Sequence, residues 1–187
     1  MPKDASAPGA LELVRSFVNS IDVERPETID AMADLAAARV WLADAGINPA
    51  GLDPAGLAEL RSLREVLRAE LMAHSGEADP AASWRQLAQA LGSVPVEVRF
   101  ADTGMVTLEP HSHAGAAGLI ATLSAAVYDA VRDGTWARLK ACRKHSCLYA
   151  FYDKTKNGSG AWCSMDTCGN QAKAARRRHR QRVGAGS

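Results

Sequence analysis

Apolar residues recur at helical spacing through most of the first 130 or so positions, and the period changes only once. Leu11, Val14, Val18 and Ile21 fall three to four apart and predict a first short amphipathic helix. A second helix is expected from about Thr28 to Ala45, closed by Gly46, which takes left-handed backbone at little cost. Asp53-Pro54 opens a third, because aspartate accepts from the free N–H groups of a first turn and proline suits the first helical position. Its core stripe is Leu57, Leu60, Leu63, Leu67 and Leu71, ending near Gly76. Asp79-Pro80 repeats the start signal, with Trp84, Leu87 and Leu91 expected to point inward before Gly92. The period then drops to two. Val96, Val98 and Phe100 alternate with Glu97 and Arg99, and Val106 and Leu108 with Thr107 and Glu109, across a turn at residues 101–104. This predicts a hairpin with one buried face. A helix from about Ala114 to Arg132 follows, its apolar side carrying Ile120, Leu123, Val127 and Val131.

Charge divides the chain more sharply than hydropathy does. The formal net charge is only +1, but residues 1–137 carry 10 Lys/Arg against 19 Asp/Glu, and residues 138–187 carry 12 Lys/Arg against Asp153 and Asp166. An acidic body with a basic end implies two modules with different partners, the basic one suited to phosphate. A solvated basic tail would show the same split. No run of about 18 uncharged apolar residues is present, so no membrane span is expected. Residues 1–10 lack the apolar stretch of a secretory signal, which makes a cytoplasmic location the default.

The acidic body announces no chemistry. It holds no Gly-rich phosphate loop, no G-x-S-x-G and no H-E-x-x-H. His111 and His113 flank Ser112 and read as surface residues of a loop, and His74 near a helix end is expected to meet terminal carbonyls.

All four cysteines, Cys142, Cys147, Cys163 and Cys168, fall within 27 residues as C-x4-C-x15-C-x4-C. A chain without an export signal is not expected to form disulfides. Two close pairs about 15–20 residues apart are what a tetrahedral structural zinc site requires. Unpaired core cysteines or an iron–sulfur cluster are the alternatives. Four thiolates fill a tetrahedron, so His145 inside the first pair is expected to be exposed or to support the ligands from behind, and no coordination position is left open for catalysis. Residues 148–152 read as a strand, residues 153–160 as a loop with an Asn157-Gly158 turn, and Ala161-Trp162-Cys163 as the returning strand. Tyr149, Phe151, Tyr152 and Trp162 either stack on bases or cover the metal, and core is the favoured reading.

Ser164 is an N-cap candidate for a final helix carrying Cys168 in its early turns, with Met165, Cys168, Ala172 and Ala175 facing the metal. The opposite face bears Lys173, Arg176, Arg177 and Arg180, flanked by Arg178 and Arg182, and no acid follows Asp166. Arginine grips phosphate with two parallel N–H groups and pairs with guanine in a major groove.

The run Trp162-Cys163-Ser164-Met165-Asp166-Thr167-Cys168-Gly169-Asn170-Gln171-Ala172-Lys173 resembles the CGNR zinc-finger family. Residues 139–147, Phe151-Tyr152-Asp153 and the basic stretch 176–182 fit the same pattern. The body, with Phe17-Val18-Asn19-Ser20 early and its helix-rich layout, resembles the ABATE domain that precedes this finger. The resemblance implies a bacterial, stress-related transcriptional regulator that binds DNA through the finger. It brings Asn170 and Gln171 into the DNA-contacting set, where Gln171 replaces the signature arginine and retains the ability to read adenine.

The expectation is therefore an α+β chain. A helix-rich ABATE-like domain with a β-hairpin spans 10–137, and a small treble-clef-like zinc finger of hairpin and basic helix spans 138–182. Residues 1–9 and 183–187 are read as flexible termini. Structural Zn(2+), DNA as partner, an effector of the N-terminal domain, no membrane, a nucleoid-associated cytoplasmic location and no enzymatic activity complete the reading. Its rival is a zinc-stabilised protein-interaction module that binds no nucleic acid. No heptad or interface patch in the sequence fixes an oligomeric state.

Overall fold

The structure, a computed structural model, describes residues 6–25, 27 and 29–184, with backbone only at 179, 180 and 182–184. The expected start at Thr28 lies outside these residues, as do the outer parts of both termini and the Arg180 and Arg182 side chains. Within them the chain is α+β: six helices with two separate two-stranded antiparallel sheets.

The order begins α1 Leu11–Val18, α2 Leu35–Asp44, α3 Pro54–His74 and α4 Pro80–Leu91. Strands β1 Val96–Phe100 and β2 Val106–Pro110 follow, then α5 Gly115–Arg132. A 3-10 turn at Trp136–Arg138 leads into β3 Leu139–Ala141, which pairs with β4 Ala150–Tyr152. A π-helical turn, Met165–Gly169, opens α6 Asn170–Gly184.

Helix starts obey local chemistry. The side chains of Asp34, Asp53 and Asp79 accept from Ala37, Gly56 and Ala81 N–H. α2 therefore begins at Leu35 rather than near Thr28. The residues before it are held otherwise: Ile21 bridges Asp30, and the Asp30 carboxylate accepts from Met32 N–H and from Arg64 at 2.7 Å.

α3 is the axis of the molecule, packed by α1, α4, α5 and β3. Leu60, Leu67 and Leu71 are completely buried there with Val14, Phe17, Leu119, Ile120 and Leu123. Emptying one such site, as in Leu67→Ala, costs about 2–5 kcal/mol. The same core continues through Trp136, Leu139, Ala141 and Ala150, so the strands that lead into the cysteine region are floored by the helical body.

Two inward-facing expectations fail. Trp84 is exposed and α4 instead buries Ser83, Leu87 and Leu91; Val131 is likewise exposed because α5 turns Ala126, Val127 and Ala130 inward. The larger correction concerns the hairpin. β1 and β2 form in the expected places, Val98 opposite Leu108 and Phe100 opposite Val106, yet all five residues of β1 are exposed. α5 packs mainly on β2, so the apolar face of β1 projects past the helical layer.

Candidate metal centre and basic helix

Cys142 directly follows β3, and its N–H donates to Tyr149 O at 2.9 Å, extending the β3–β4 ladder by one bond. Between them the chain turns tightly: Cys147 N–H and Leu148 N–H both donate to Lys144 O, at 2.7 and 3.1 Å. Leu148 exits this turn with φ 49°, a left-handed conformation uncommon for a residue with a branched side chain. Arg68 of α3 holds that conformation, donating to Leu148 O at 3.1 Å and to Val18 O at 2.9 Å. The guanidinium is buried, and loss of hydration lowers its pKa, with Glu65 opposing.

The second cysteine pair is delivered by a loop built on one carboxylate. Asp153 accepts from Lys140 Nζ at 2.8 Å, Thr155 Oγ1 at 2.7 Å, Thr155 N at 3.0 Å and Gly160 N at 2.7 Å. Burial alone would raise its pKa; these donors outweigh burial and bring it to about 2. Lys140 also donates to Gly158 O, closing the Asn157-Gly158 turn. A Cβ at Gly160 would sit 2.6 Å from the Asp153 carboxylate, so only glycine fits. Ala161–Cys163 is not a strand of the hairpin, contrary to the sequence expectation. It meets the first cysteine turn through Arg143 N–H, which donates to Ala161 O at 3.1 Å, and through a backbone hydrogen bond from Cys163 to the Cys142 sulfur.

Cys168 rides on the π-turn, whose wide ring closes with Gly169 N–H on Ser164 O at 3.0 Å. Ser164 makes no side-chain cap. A Cβ on Gly169 would lie 2.8 Å from Met165 Sδ and 3.4 Å from Trp162. The extra residue in this turn shifts the helical phase, so Met165 and Ala175 are exposed and do not pack toward the cysteines; Ala172 is half-buried. Phe151 is buried and Tyr149, Tyr152 and Trp162 are half-buried, and Tyr149 and Arg15 are in contact.

These elements converge the four Sγ atoms to within 4.8 Å of one another, with Cys147–Cys163 and Cys163–Cys168 at 3.7 Å. A tetrahedron of thiolates at about 2.3 Å from zinc has edges of about 3.8 Å, so the donor set and spacing fit that ion. His145 is exposed and outside the cluster. Packed without a metal, the thiols compete for protons. Hydrogen bonds from Cys147 and Cys163 pull Cys142 down to about 2, the bond to Cys142 pushes Cys147 up to about 12, and Cys163 is raised for the same reason. Zinc, held by Cys142, Cys147, Cys163 and Cys168, would supply the charge that lets all four ionise and would fix residues 161–169 to the β3–β4 hairpin.

α6 carries six Lys/Arg and no Asp/Glu over Asn170–Gly184. Lys173, Arg176, Arg177 and Arg178 are all exposed, as are Ala174, Ala175 and Gln181. Asn170 is exposed with its amide donating to Asp166 O at 3.2 Å. Gln171 lies at the edge of an open groove of about 1450 Å³ that runs from Asn19–Arg25 past Tyr149 and Trp162 to the cysteines.

The finger is locked to the body by contacts that sequence patterns do not announce. Asn19 pairs with the Ala150 backbone, Ser75 Oγ donates to Ala141 O at 2.6 Å, and Arg143 donates to Ser75 O. His74 does not meet terminal carbonyls of its own helix: its Nδ1 contacts Leu139 O at 2.7 Å and its Nε2 lies 3.2 Å from the buried Glu70. The hint in the sequence was an isolated polar residue, Asn19 and Ser75 just after helices and Arg68 within one, which reads equally well as a cap or a solvated face.

Comparison with known families covers most of the chain. Residues 10–134 match the ABATE family model, described as “Putative stress-induced transcription regulator”, and residues 138–181 match the CGNR zinc finger. No curated protein matches the chain.

Proposed function

The chain belongs to the ABATE family and carries a CGNR zinc finger behind that region, and on this basis we propose that it is a transcriptional regulator that binds DNA through α6. The observation that carries the reading is α6 itself: a helix of one charge sign with no buried face among its described side chains. Arginines three and four apart repel, and a helix that is polar all round has little to stabilise it unless an anion covers it. Duplex phosphate supplies that anion, and arginine adds base contacts in the major groove. The zinc site is structural in this reading: its thiols fill the tetrahedron, so no catalytic role is proposed. The groove beside Gln171 is the place where an effector of the N-terminal region would reach the root of α6.

The rival reading, a zinc-stabilised protein-docking module, draws on the attraction between basic finger and acidic body. Lys144 does pair with Glu24 and Arg143 with Glu77. Those cations belong to the first cysteine turn, however, and none of the described side chains of α6 makes such a pair. Titrating zinc-loaded protein into labelled duplex DNA across a salt series separates the readings. Binding that weakens by about 0.9 log units per log unit of salt for each neutralised phosphate supports the proposal. Replacing Arg176, Arg177 and Arg180 together by Ala is expected to flatten the slope. Equal binding by that variant, or none by the parent, rejects it.

A further inference from the structure

We propose that β1 is a dimerisation strand, pairing antiparallel with β1 of a second copy to join two hairpins into one four-stranded sheet. Among the described residues the sheet has two strands, so β1 is an edge, and α5 lies mainly against β2. Ala101 N–H donates to Met105 O at 2.9 Å and His111 N–H to Pro95 O at 3.4 Å, so odd-numbered residues of this stretch face β2. By alternation, the N–H and C=O groups of Val96, Val98 and Phe100 turn outward. Their side chains are 37%, 55% and 75% exposed on one apolar face. An edge of this kind, with no bulge and no proline inside it, is a template for another strand.

What favours a second copy over any other strand is the sequence of the edge, Val96-Glu97-Val98-Arg99-Phe100, which is complementary to itself. Antiparallel pairing about a two-fold axis at Val98 sets Val98 against its own copy and Val96 against Phe100. The same register sets Glu97 against Arg99 twice, on the polar face. Every outward N–H and C=O of the three apolar residues then meets a partner. A two-fold axis perpendicular to the sheet keeps both apolar faces on one side, so Val96–Phe100 pairs form directly across the junction. A shift of the register by two residues would leave one Glu97 facing Glu97 and break both charge pairs. The edge thus specifies its partner and its register together.

A single strand pair is a small interface, below the roughly 1,200 Å² of standard complexes, so the dimer is expected to dissociate at about 1–100 μM. Sedimentation velocity of the zinc-loaded full chain over about 1–300 μM is the test. Self-association should be lost in Val98→Pro, because that N–H serves no bond to β2 and the hairpin survives its removal. Glu97→Arg alone and Arg99→Glu alone should each be monomeric, facing like charges across the axis. Mixed, the two should form a heterodimer, since each Arg then meets a Glu. Circular dichroism matching the parent confirms that the variants fold. A parent monomeric at every concentration overturns the proposal and leaves the edge to a foreign strand. A Val98→Pro protein that dimerises like the parent, or a mixture that does not associate, overturns it equally. None of these outcomes depends on DNA binding.

Discussion

Asn19 and Ala150 are joined by two hydrogen bonds: the Asn19 Nδ2 donates to Ala150 O at 2.9 Å, and Ala150 N–H donates to Asn19 Oδ1 at 2.8 Å. The side-chain amide behaves as one residue of a neighbouring strand, and it lies 131 positions away. Through it the end of α1 pairs with β4, and β4 carries the chain from the first cysteine pair to the second.

Asn19→Ala leaves both Ala150 backbone groups buried without partners. The expected cost is about 2–4 kcal/mol, read by urea denaturation of the zinc-loaded protein. Asn19→Asp should be no better, since a second carboxylate oxygen would then face Ala150 O. A loss below about 0.5 kcal/mol for both variants would show that this link is not structural.

Lys140 and Asp153 are a buried ion pair at 2.8 Å. Asp153→Asn strands the ammonium and should cost about 3–5 kcal/mol. The Asp153 pKa lies below its ordinary value, so its contribution is complete above the unfolded pKa near 4 and is lost as pH falls toward about 2. Acid unfolding of the parent should show this loss, and Asp153→Asn should lack it. Gly160→Ala attacks the same loop sterically.

Zinc loading should release protons. The thiols of Cys147 and Cys163 are raised above their ordinary range in the metal-free cluster, so both are protonated at neutral pH and must ionise to bind. Affinity should therefore rise with pH. Calorimetry in buffers of different ionisation enthalpy should count at least two protons per zinc at pH 7. A pH-independent affinity would contradict four-thiolate ligation.

Zinc removal, or Cys163→Ser, should loosen the chain unevenly. Leu139, Ala141 and Ala150 belong to the helical core, so β3 and β4 should keep their hydrogen-exchange protection. Residues 161–184 rest on the cysteines and should lose theirs. Collapse of protection throughout the body would show that metal and core fold as one unit.

Elements whose cause is local were legible in the sequence. Asp–Pro starts, leucine stripes and an alternating hairpin are short-range patterns, and helices and strands answer to them directly. The cysteine spacing disclosed the candidate metal donors for the same reason: each pair is one turn of chain, and nothing else in the sequence competes for it. The charge split disclosed α6, because no acid follows Asp166 to neutralise it. Tertiary structure decided everything that depends on which surfaces meet. It buried Arg64 and Arg68, which composition would leave in water, because carbonyls and carboxylates from α1 and the segments preceding α2 and β4 converge on them. It exposed β1, whose alternation demanded a buried face, because α5 packs mainly on β2. Periodicity states that a face is apolar; only the packing of distant segments states what lies against it.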